Sequence, residues 1–277
     1  MWNETQVNVL LALARFRFLS TSQLHRLVKK EIAWLRKQVA ALVNREKPLV
    51  ERITFGFHPK EGKLENVYFL TKYGKAAILD LMKIDESQVK MPVGNSSLFY
   101  KDYKHRKNTI DFHIALYEWT QGSAYTLDFF DTYFDKVGNN RKDKNLRAKT
   151  KIDLLGADYL IADGVFTISS ASNQFLYLFE MHDGKDSARV IQQLKKHAQA
   201  IAMGTPSKQY NMGSKSHRVL SVFEFTSTKN AVLERIQAEK SFVKMPDHFL
   251  FKSMEVLDNP TFSEHWENLK GESVDFV

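Results

Sequence analysis

The stretch that decides the fold is IADGVFTISSASNQFLYLFEMHDGK, residues 161–185. It predicts a β-hairpin, because residues 165–168 and 175–179 are rich in β-branched and aromatic side chains and residues 169–173 between them are typical of a turn. The apolar side chains at alternate positions of the second strand are expected to point into a core.

Acidic residues stand at the open end of this hairpin. A turn centred between residues 171 and 172 places Asp163 directly opposite Glu180, so the two carboxylates share one face of the pair. His182 lies two residues beyond Glu180 and points to the same face. The hairpin therefore predicts a cluster of two acids and one histidine.

Two neighbouring carboxylates repel each other, and unpaired charges are costly at the end of an apolar hairpin. A divalent cation resolves both problems, and oxygen ligands suit Mg²⁺ or Mn²⁺. Asp163 and Glu180 are thus candidate metal ligands. The alternative is a solvated strand end, whose acids face water or pair with Lys185.

The composition is that of an ordinary globular protein. Charged residues make up 26% of the 277 residues and hydrophobic residues 43%. The chain has no cysteine, which excludes disulfides and zinc–thiolate sites and fits a reducing compartment. The start does not resemble a signal peptide, and no apolar run is long enough to span a membrane. We expect a cytoplasmic protein with no membrane insertion.

The positive charge is unevenly distributed along the chain. The formal net charge is +8, and residues 1–82 hold 14 basic against 7 acidic residues, whereas the remainder holds 26 against 25. A basic surplus favours a polyanionic partner. Its position indicates a DNA-facing N-terminal module.

The order of predicted elements in this module is three helices followed by a hairpin. Helices are predicted from Asn3 onward, over residues 22–29 and over residues 32–44, and strands over residues 49–57 and 66–70. This is the order of a winged helix, whose third helix can enter the DNA major groove while the hairpin touches the backbone. The candidate DNA-binding residues are Lys29, Lys30, Arg36, Lys37 and Arg45. The alternative is a winged helix used for protein contacts.

The rest of the chain predicts a second domain. We expect a winged-helix domain at residues 1–88, a linker at 89–104 and a domain at 105–277. The order helix, three strands, helix, strand, helix, strand predicts an α/β domain with a mixed sheet. Residues 136–151 are strongly basic, so Arg141, Lys142, Lys144 and Arg147 are further candidate DNA contacts. A flexible solvated loop is the alternative.

Four stretches carry a resemblance to a known family: YFLTKYGKAAIL (68–79), HRKNTIDFHIAL (105–116), ADGVFTI (162–168) and FLYLFEMHDGKDSARVIQQLKKHAQ (175–199). Over most of residues 5–200 the chain resembles the replication-relaxation family, which includes the MOBC-type plasmid relaxases. The element order also resembles the core of the PD-(D/E)xK nucleases, the restriction-endonuclease-like fold.

The resemblance implies a divalent-metal-dependent DNA nickase, or relaxase, that uses Mg²⁺ or Mn²⁺. Such an enzyme acts on a plasmid transfer or replication origin and starts conjugative mobilisation or rolling-circle replication. The implied partners are duplex DNA, nicked or single-stranded DNA at the origin, and a coupling protein of a secretion system.

By position, Asp163 matches the first acid of the nuclease motif and Glu180 the second, and the resemblance adds the backbone carbonyl of Met181 as a metal ligand. His182 stands where these nucleases usually have lysine. Either His182 or Lys185 then positions the nucleophile, or the activity is weakened or lost. The non-catalytic alternative is a DNA-binding accessory or replication-initiation protein with a degenerate nuclease domain. A transcription regulator is a third reading.

The resemblance implies roles for four more residues. Arg189 and Lys196, on the helix after the hairpin, would contact phosphate. His105 and Asp111 match recurrent positions of the first helix of the nuclease-like domain. Asp111 is either an additional metal-side acid or a residue of a helix cap or salt bridge.

Overall fold

The computed structural model describes residues 2–59, 61–92, 102–138, 146–213, 216–257 and 261–277. The chain divides into two compact units, residues 1–111 and 112–277. The assignment of domains to residues 1–88 and 105–277, with a linker between them, stays a prediction. Within the described residues, no helix has both the length and the apolar character needed to cross a bilayer.

Unit 1 has the winged-helix order that the sequence predicts. Strands β1 (Leu19–Ser20), β5 (Val67–Leu70) and β2 (Val50–Ile53) form an antiparallel sheet in that order. Strands β3 (Phe57–His58) and β4 (Gly62–Lys63) pair with each other, and we call these two strands the wing. The elements are α1 (Glu4–Phe16), β1 (Leu19–Ser20), α2 (Thr21–Val28), α3 (Ile32–Val43), β2 (Val50–Ile53), β3 (Phe57–His58), β4 (Gly62–Lys63), β5 (Val67–Leu70) and α4 (Lys72–Met82).

The helices of unit 1 begin where side chains can satisfy the first backbone N–H groups. Asn3 and Gln6 form a capping box at the start of α1, and Ser20 and Gln23 form another at α2. At α3, the Glu31 carboxylate accepts hydrogen bonds from two backbone N–H groups of the first turn. These caps confirm that the helix starts are encoded locally.

Unit 2 is built on one mixed sheet, to which the described residues contribute seven strands. The division between the units falls within α5. The elements are α5 (Tyr103–Gln121), β6 (Thr126–Thr132), β7 (Lys136–Val137), β8 (Arg147–Ala148), β9 (Lys151–Asp153), β10 (Tyr159–Ile161), β11 (Gly164–Ser169), β12 (Gln174–His182), α6 (Ser187–Met203), α7 (Thr205–Gln209), β13 (Arg218–Phe223), α8 (Thr226–Gln237), β14 (Phe249–Ser253), β15 (Trp266–Glu267) and β16 (Ser273–Val274).

The large sheet has the strand order β6-β11-β12-β13-β14-β15-β16. Strands β6, β11 and β12 are antiparallel neighbours, whereas β12, β13 and β14 are parallel. The parallel strands are joined through α6 and α8, as parallel neighbours require a crossover. The succession α5, β6, β11, β12, α6, β13 is the predicted restriction-endonuclease-like order, and the predicted fold class is confirmed.

Apolar side chains cover both faces of the sheet. One cluster joins α5 to the sheet and includes Phe112, Phe166, Phe179 and Trp266. A second cluster joins α6 and α8 to the opposite face. Because both faces are buried, β12 reads as a nearly continuous buried strand rather than an alternating one.

The last strands are a feature that the sequence pattern did not predict. The predicted order ends with a single strand after the last helix, whereas β15 and β16 extend the sheet beyond β14. Phe276, which follows them, is fully buried and stacks on Tyr177 at 5.0 Å between ring centroids. Its backbone carbonyl accepts a 2.9 Å hydrogen bond from the Tyr177 hydroxyl. The chain downstream of β14 therefore completes the core.

Gly164, the first residue of β11, generates a stability prediction. A Cβ atom there would lie 2.9 Å from the Phe130 ring and 3.4 Å from the Phe179 ring. We expect Gly164→Ala to lower the free energy of unfolding by about 1–3 kcal/mol, because the packed rings must move. Urea unfolding followed by circular dichroism measures this. The matched control is Gly184→Ala, whose Cβ meets nothing within 4 Å; equal destabilisation by both variants would contradict the prediction.

Candidate functional site

The register of the β11–β12 hairpin brings the two predicted acids together. The paired residues run from Gly164 opposite Phe179 to Ser169 opposite Gln174. Continuing the ladder by one residue places Asp163 opposite Glu180, which is the register that the turn position predicts. The register over residues 164–169 is the predicted one. Both acids are buried: Asp163 is 8% exposed and Glu180 is fully buried.

Asp163 is tied to the neighbouring strand by its side chain. Its Oδ2 accepts a 2.8 Å hydrogen bond from the backbone N–H of Met181. Because β11 begins only at Gly164, the Asp163 carboxylate takes the place of a ladder acceptor for this amide. A strand residue directs its N–H and C=O to the same neighbour. The Met181 carbonyl therefore faces the side of β12 on which Asp163 lies.

Glu180 is held by helix α6. Its Oε2 accepts a hydrogen bond from the Gln193 side-chain amide, and its Oε1 lies 2.5 Å from Nε2 of His197. Gln193 and His197 are four residues apart and so lie on one face of the helix. Burial lowers the pKa of His197, and nearby His217 lowers it further.

The sequence analysis did not predict that Gln193 and His197 contact Glu180. Apolar periodicity assigns Ile191 and Leu194 to the core face of α6, as the structure bears out. Periodicity alone does not identify polar side chains that face a buried partner. The signal was the glutamine–histidine pair at helical spacing directly after an acidic strand.

His182 and Lys185 have different surroundings. His182 is 6% exposed, and its ring lies 4.6 Å from that of Phe223 on the adjacent strand. Lys185 is exposed, and its ammonium lies 5.1 Å from the centre of the Phe225 ring. His182 thus occupies the buried face beside Glu180, whereas Lys185 lies in the loop that follows. A role in positioning a nucleophile stays a prediction for both.

A third carboxylate shares this face of the sheet. Asp131 of β6 pairs with Val165, and alternate strand residues point to one face, so Asp131 and Asp163 lie on the same side. Lys149 donates a 2.8 Å hydrogen bond to Asp131 Oδ1. Within the described residues, however, no group of three or more histidine, aspartate or glutamate side chains is arranged to hold a metal ion.

Two further predicted site residues, His105 and Asp111, lie on α5 within unit 1. The Asp111 carboxylate accepts hydrogen bonds from Gln23 Nε2 at 2.8 Å and Lys107 Nζ at 3.1 Å. These contacts are those expected if Asp111 forms a salt bridge. A role for Asp111 as an additional acid at the metal site stays a prediction. His105 is half-buried near the start of α5, and its role also stays a prediction.

The predicted DNA contacts of unit 2 are partly engaged with acids of the same unit. Lys196 donates to Asp158 at 2.7 Å, and Arg147 lies 4.0 Å from Asp153. Arg189 is exposed near the start of α6. Arg141, Lys142 and Lys144 lie outside the described residues. Arg189 is thus an exposed predicted DNA contact in the first turn of α6.

The predicted DNA contacts of unit 1 lie on and around α3. Arg36, Lys37 and Arg45 are exposed, as is Lys29, which ends α2 in a left-handed conformation. Lys30 lies 3.8 Å from the Glu4 carboxylate. The structure therefore displays basic side chains on α3 and at both its ends.

A groove of about 490 Å³ separates α3 from the strands that lead to and from the wing. Arg36 lines it from the helix, and Arg52 and Lys63 line it from the opposite side. Glu65 is the acid among the lining residues. The groove thus carries more positive than negative side chains.

Comparisons with known proteins find one solved structure with weak similarity. The sequence matches no family model and no curated protein. Among solved structures, the restriction endonuclease FokI bound to DNA is similar, with 11% sequence identity and a TM-score of 0.31. The match covers 91% of this chain and 43% of that one, so this chain spans less than half of its length. We draw no functional conclusion from a TM-score this low. The resemblance to relaxases stays a prediction.

His217 is an unusual buried histidine near His197. It is 1% exposed, and neither ring nitrogen has a hydrogen-bond partner among the described residues. Burial, together with the smaller effect of nearby His248, lowers the pKa of His217 to about 3. Because the folded-state pKa lies below the unfolded value, folding excludes a proton between these two pH values.

This generates a pH-dependence prediction. The stability contributed by neutral His217 is complete above its unfolded pKa of about 6.5 and is lost as the pH falls toward 3. At pH 5 the loss is about 2 kcal/mol. We expect His217→Leu to reduce the drop in unfolding free energy between pH 7.5 and pH 5, measured by urea unfolding. The control His265→Asn removes an exposed histidine; if it has the same effect, the assignment to His217 is wrong.

Proposed function

We propose that this chain is a DNA-binding protein that cleaves one DNA strand in a divalent-metal-dependent reaction, as a relaxase-type nicking endonuclease. The observation that carries the proposal is the position of Asp163 opposite Glu180, with the Met181 amide bonded to Asp163. Two carboxylates at adjacent strand ends in a mixed sheet are the donors such a reaction needs. A plasmid transfer or replication origin is the proposed DNA site.

The winged helix supports the DNA-binding part of this proposal. Exposed Arg36 and Lys37 lie on α3, the helix that enters the major groove in winged-helix folds. Arg52 and Lys63 extend the basic surface across the groove toward the wing. The basic surplus of residues 1–82 gives this surface the sign that attracts phosphate.

The donor chemistry at the acid pair fits Mg²⁺ or Mn²⁺. Asp163 and Glu180 would hold the ion, with the Met181 carbonyl as a further oxygen ligand. One or two carboxylates together with substrate phosphate are the usual environment of Mg²⁺ in proteins. When bound, the ion would act as a Lewis acid on the scissile phosphate.

The residues around the pair would set its geometry. Gln193 and His197 fix the orientation of the Glu180 carboxylate through both its oxygens. The Met181 amide does the same for Asp163. His182, adjacent on the buried face, would orient the nucleophile or stabilise developing charge in place of the usual lysine.

The second candidate function is a DNA-binding accessory or replication-initiation protein with a degenerate nuclease domain. The observation that favours it is burial: Glu180 has no exposed surface, and its oxygens already accept from α6. Hydrogen bonds of this kind satisfy a carboxylate without a cation. The two functions share the winged helix and differ in whether the acid pair reacts.

The catalytic proposal predicts nicking of supercoiled plasmid that carries an origin. With Mn²⁺ or Mg²⁺ the wild-type protein should convert supercoiled to open-circular DNA. Asp163→Asn and Glu180→Gln should lose this activity, because the metal-binding charge is removed, while still binding DNA in a gel shift. The variant His265→Asn serves as a control that leaves the acid pair intact. Absence of nicking by a wild-type protein that binds DNA would favour the accessory function.

The DNA-binding proposal predicts the effect of single charge removals on α3. Arg36→Ala and Lys37→Ala should each weaken duplex binding and reduce the slope of log Kd against log salt by about one, the value for a lost phosphate contact. Fluorescence anisotropy with a labelled duplex at several salt concentrations measures both. Lys83→Ala removes the same charge from an exposed lysine at the end of α4. A similar change in slope for Lys83→Ala would contradict a specific role for α3.

A further inference from the structure

The wing carries an exposed phenylalanine. Ile53 and Phe55 are buried at alternate positions leading into it, and Phe55 packs against Tyr103 at 4.7 Å between ring centroids. Phe57 continues this alternation but is 78% exposed. Leaving a large aromatic ring in water forgoes the free energy of burial. Phe57 therefore contributes little apolar burial to unit 1.

The pairing of the two wing strands determines which side chains lie beside the Phe57 ring. Phe57 pairs with Lys63 across the hairpin, so their side chains project on the same face. The hairpin is short, with a backbone hydrogen bond from Leu64 N–H to the Gly56 carbonyl and Gly62 at φ +74°. An exposed aromatic ring and an exposed lysine thus lie on the same face of the wing.

The charge around the wing indicates the kind of partner. Lys63 and Arg52 line the groove that leads from the wing to α3. The surrounding module has a surplus of seven positive charges. An apolar ring with a lysine beside it matches the minor groove of duplex DNA, where proteins insert apolar side chains between base steps while basic residues contact phosphate.

We propose that Phe57 is an apolar wedge that the wing inserts into the minor groove of duplex DNA, with Lys63 on an adjacent phosphate. This inference rests on the proposed DNA binding by the winged helix and adds a contact to it. Partial unstacking of a base step would kink the duplex beside the groove occupied by α3. The wing then contributes apolar contact energy in addition to charge.

The experiment uses the full chain and a short mixed-sequence duplex in which the fluorescent base aminopurine replaces adenine. Binding of the wild type should increase aminopurine fluorescence, because unstacked aminopurine is less quenched. Phe57→Ala should weaken binding about tenfold and abolish the increase, with no change in salt slope, because a stacking contact and not a phosphate contact is lost. Lys63→Ala should keep the increase and lower the salt slope by about one.

Matched measurements separate the possible outcomes. Leu81→Ala removes an exposed apolar side chain from α4 and should change neither affinity nor fluorescence. Unchanged affinity and fluorescence in Phe57→Ala would overturn the wedge and leave DNA binding by the winged helix intact. Failure of the wild type to bind the duplex would overturn both. A Phe57→Ala effect on an unpaired strand alone would overturn the duplex wedge. Unchanged circular dichroism spectra establish that the variants fold.

Discussion

A glutamate with no exposed surface is stable inside a protein when hydrogen bonds replace the water that it has lost. Glu180 obtains these bonds from Gln193 and His197, which requires α6 to lie at a fixed height and rotation over β12. The apolar face of α6, including Leu194 and Ala198, packs on the sheet and sets that position. The hairpin register then places Asp163 opposite Glu180. The candidate site is therefore a product of helix packing and strand register together.

The sequence was sufficient to predict features that depend on neighbouring residues, such as strand register and helix starts. The turn position fixed the register of β11 and β12, because side-chain alternation does not tolerate a slip of one residue. Capping side chains located the starts of α1 and α2 for a similar local reason.

The sequence was insufficient to predict features that depend on contacts between segments far apart in the chain. The acids at the strand ends were expected on a site face, but α6 covers Glu180 so completely that it has no exposure. Neither Gln193 nor His197 belongs to the apolar pattern of α6, so apolar periodicity did not indicate that they contact Glu180. Strands β15 and β16 have two residues each, too few to show an alternation.

The two units use charge differently. In unit 1 basic side chains are exposed on and beside α3, and the surplus of positive charge remains available to a partner. In unit 2 several lysines pair with acids of the same unit, as Lys149 does with Asp131 and Lys196 with Asp158. The nearly equal numbers of basic and acidic residues in residues 83–277, 26 and 25, allow such pairing.

The burial of Phe276 also has a consequence for the order in which the protein folds during synthesis. Unit 1 is compact within residues 1–111 and can fold while later residues are still being added. The aromatic core of unit 2 needs Phe276 against Tyr177 and Trp266, so it stays incomplete until residue 276 has left the ribosome. Until then the apolar face of the β-sheet lacks its last aromatic cover, and exposed apolar surface of this kind makes a nascent chain prone to aggregation.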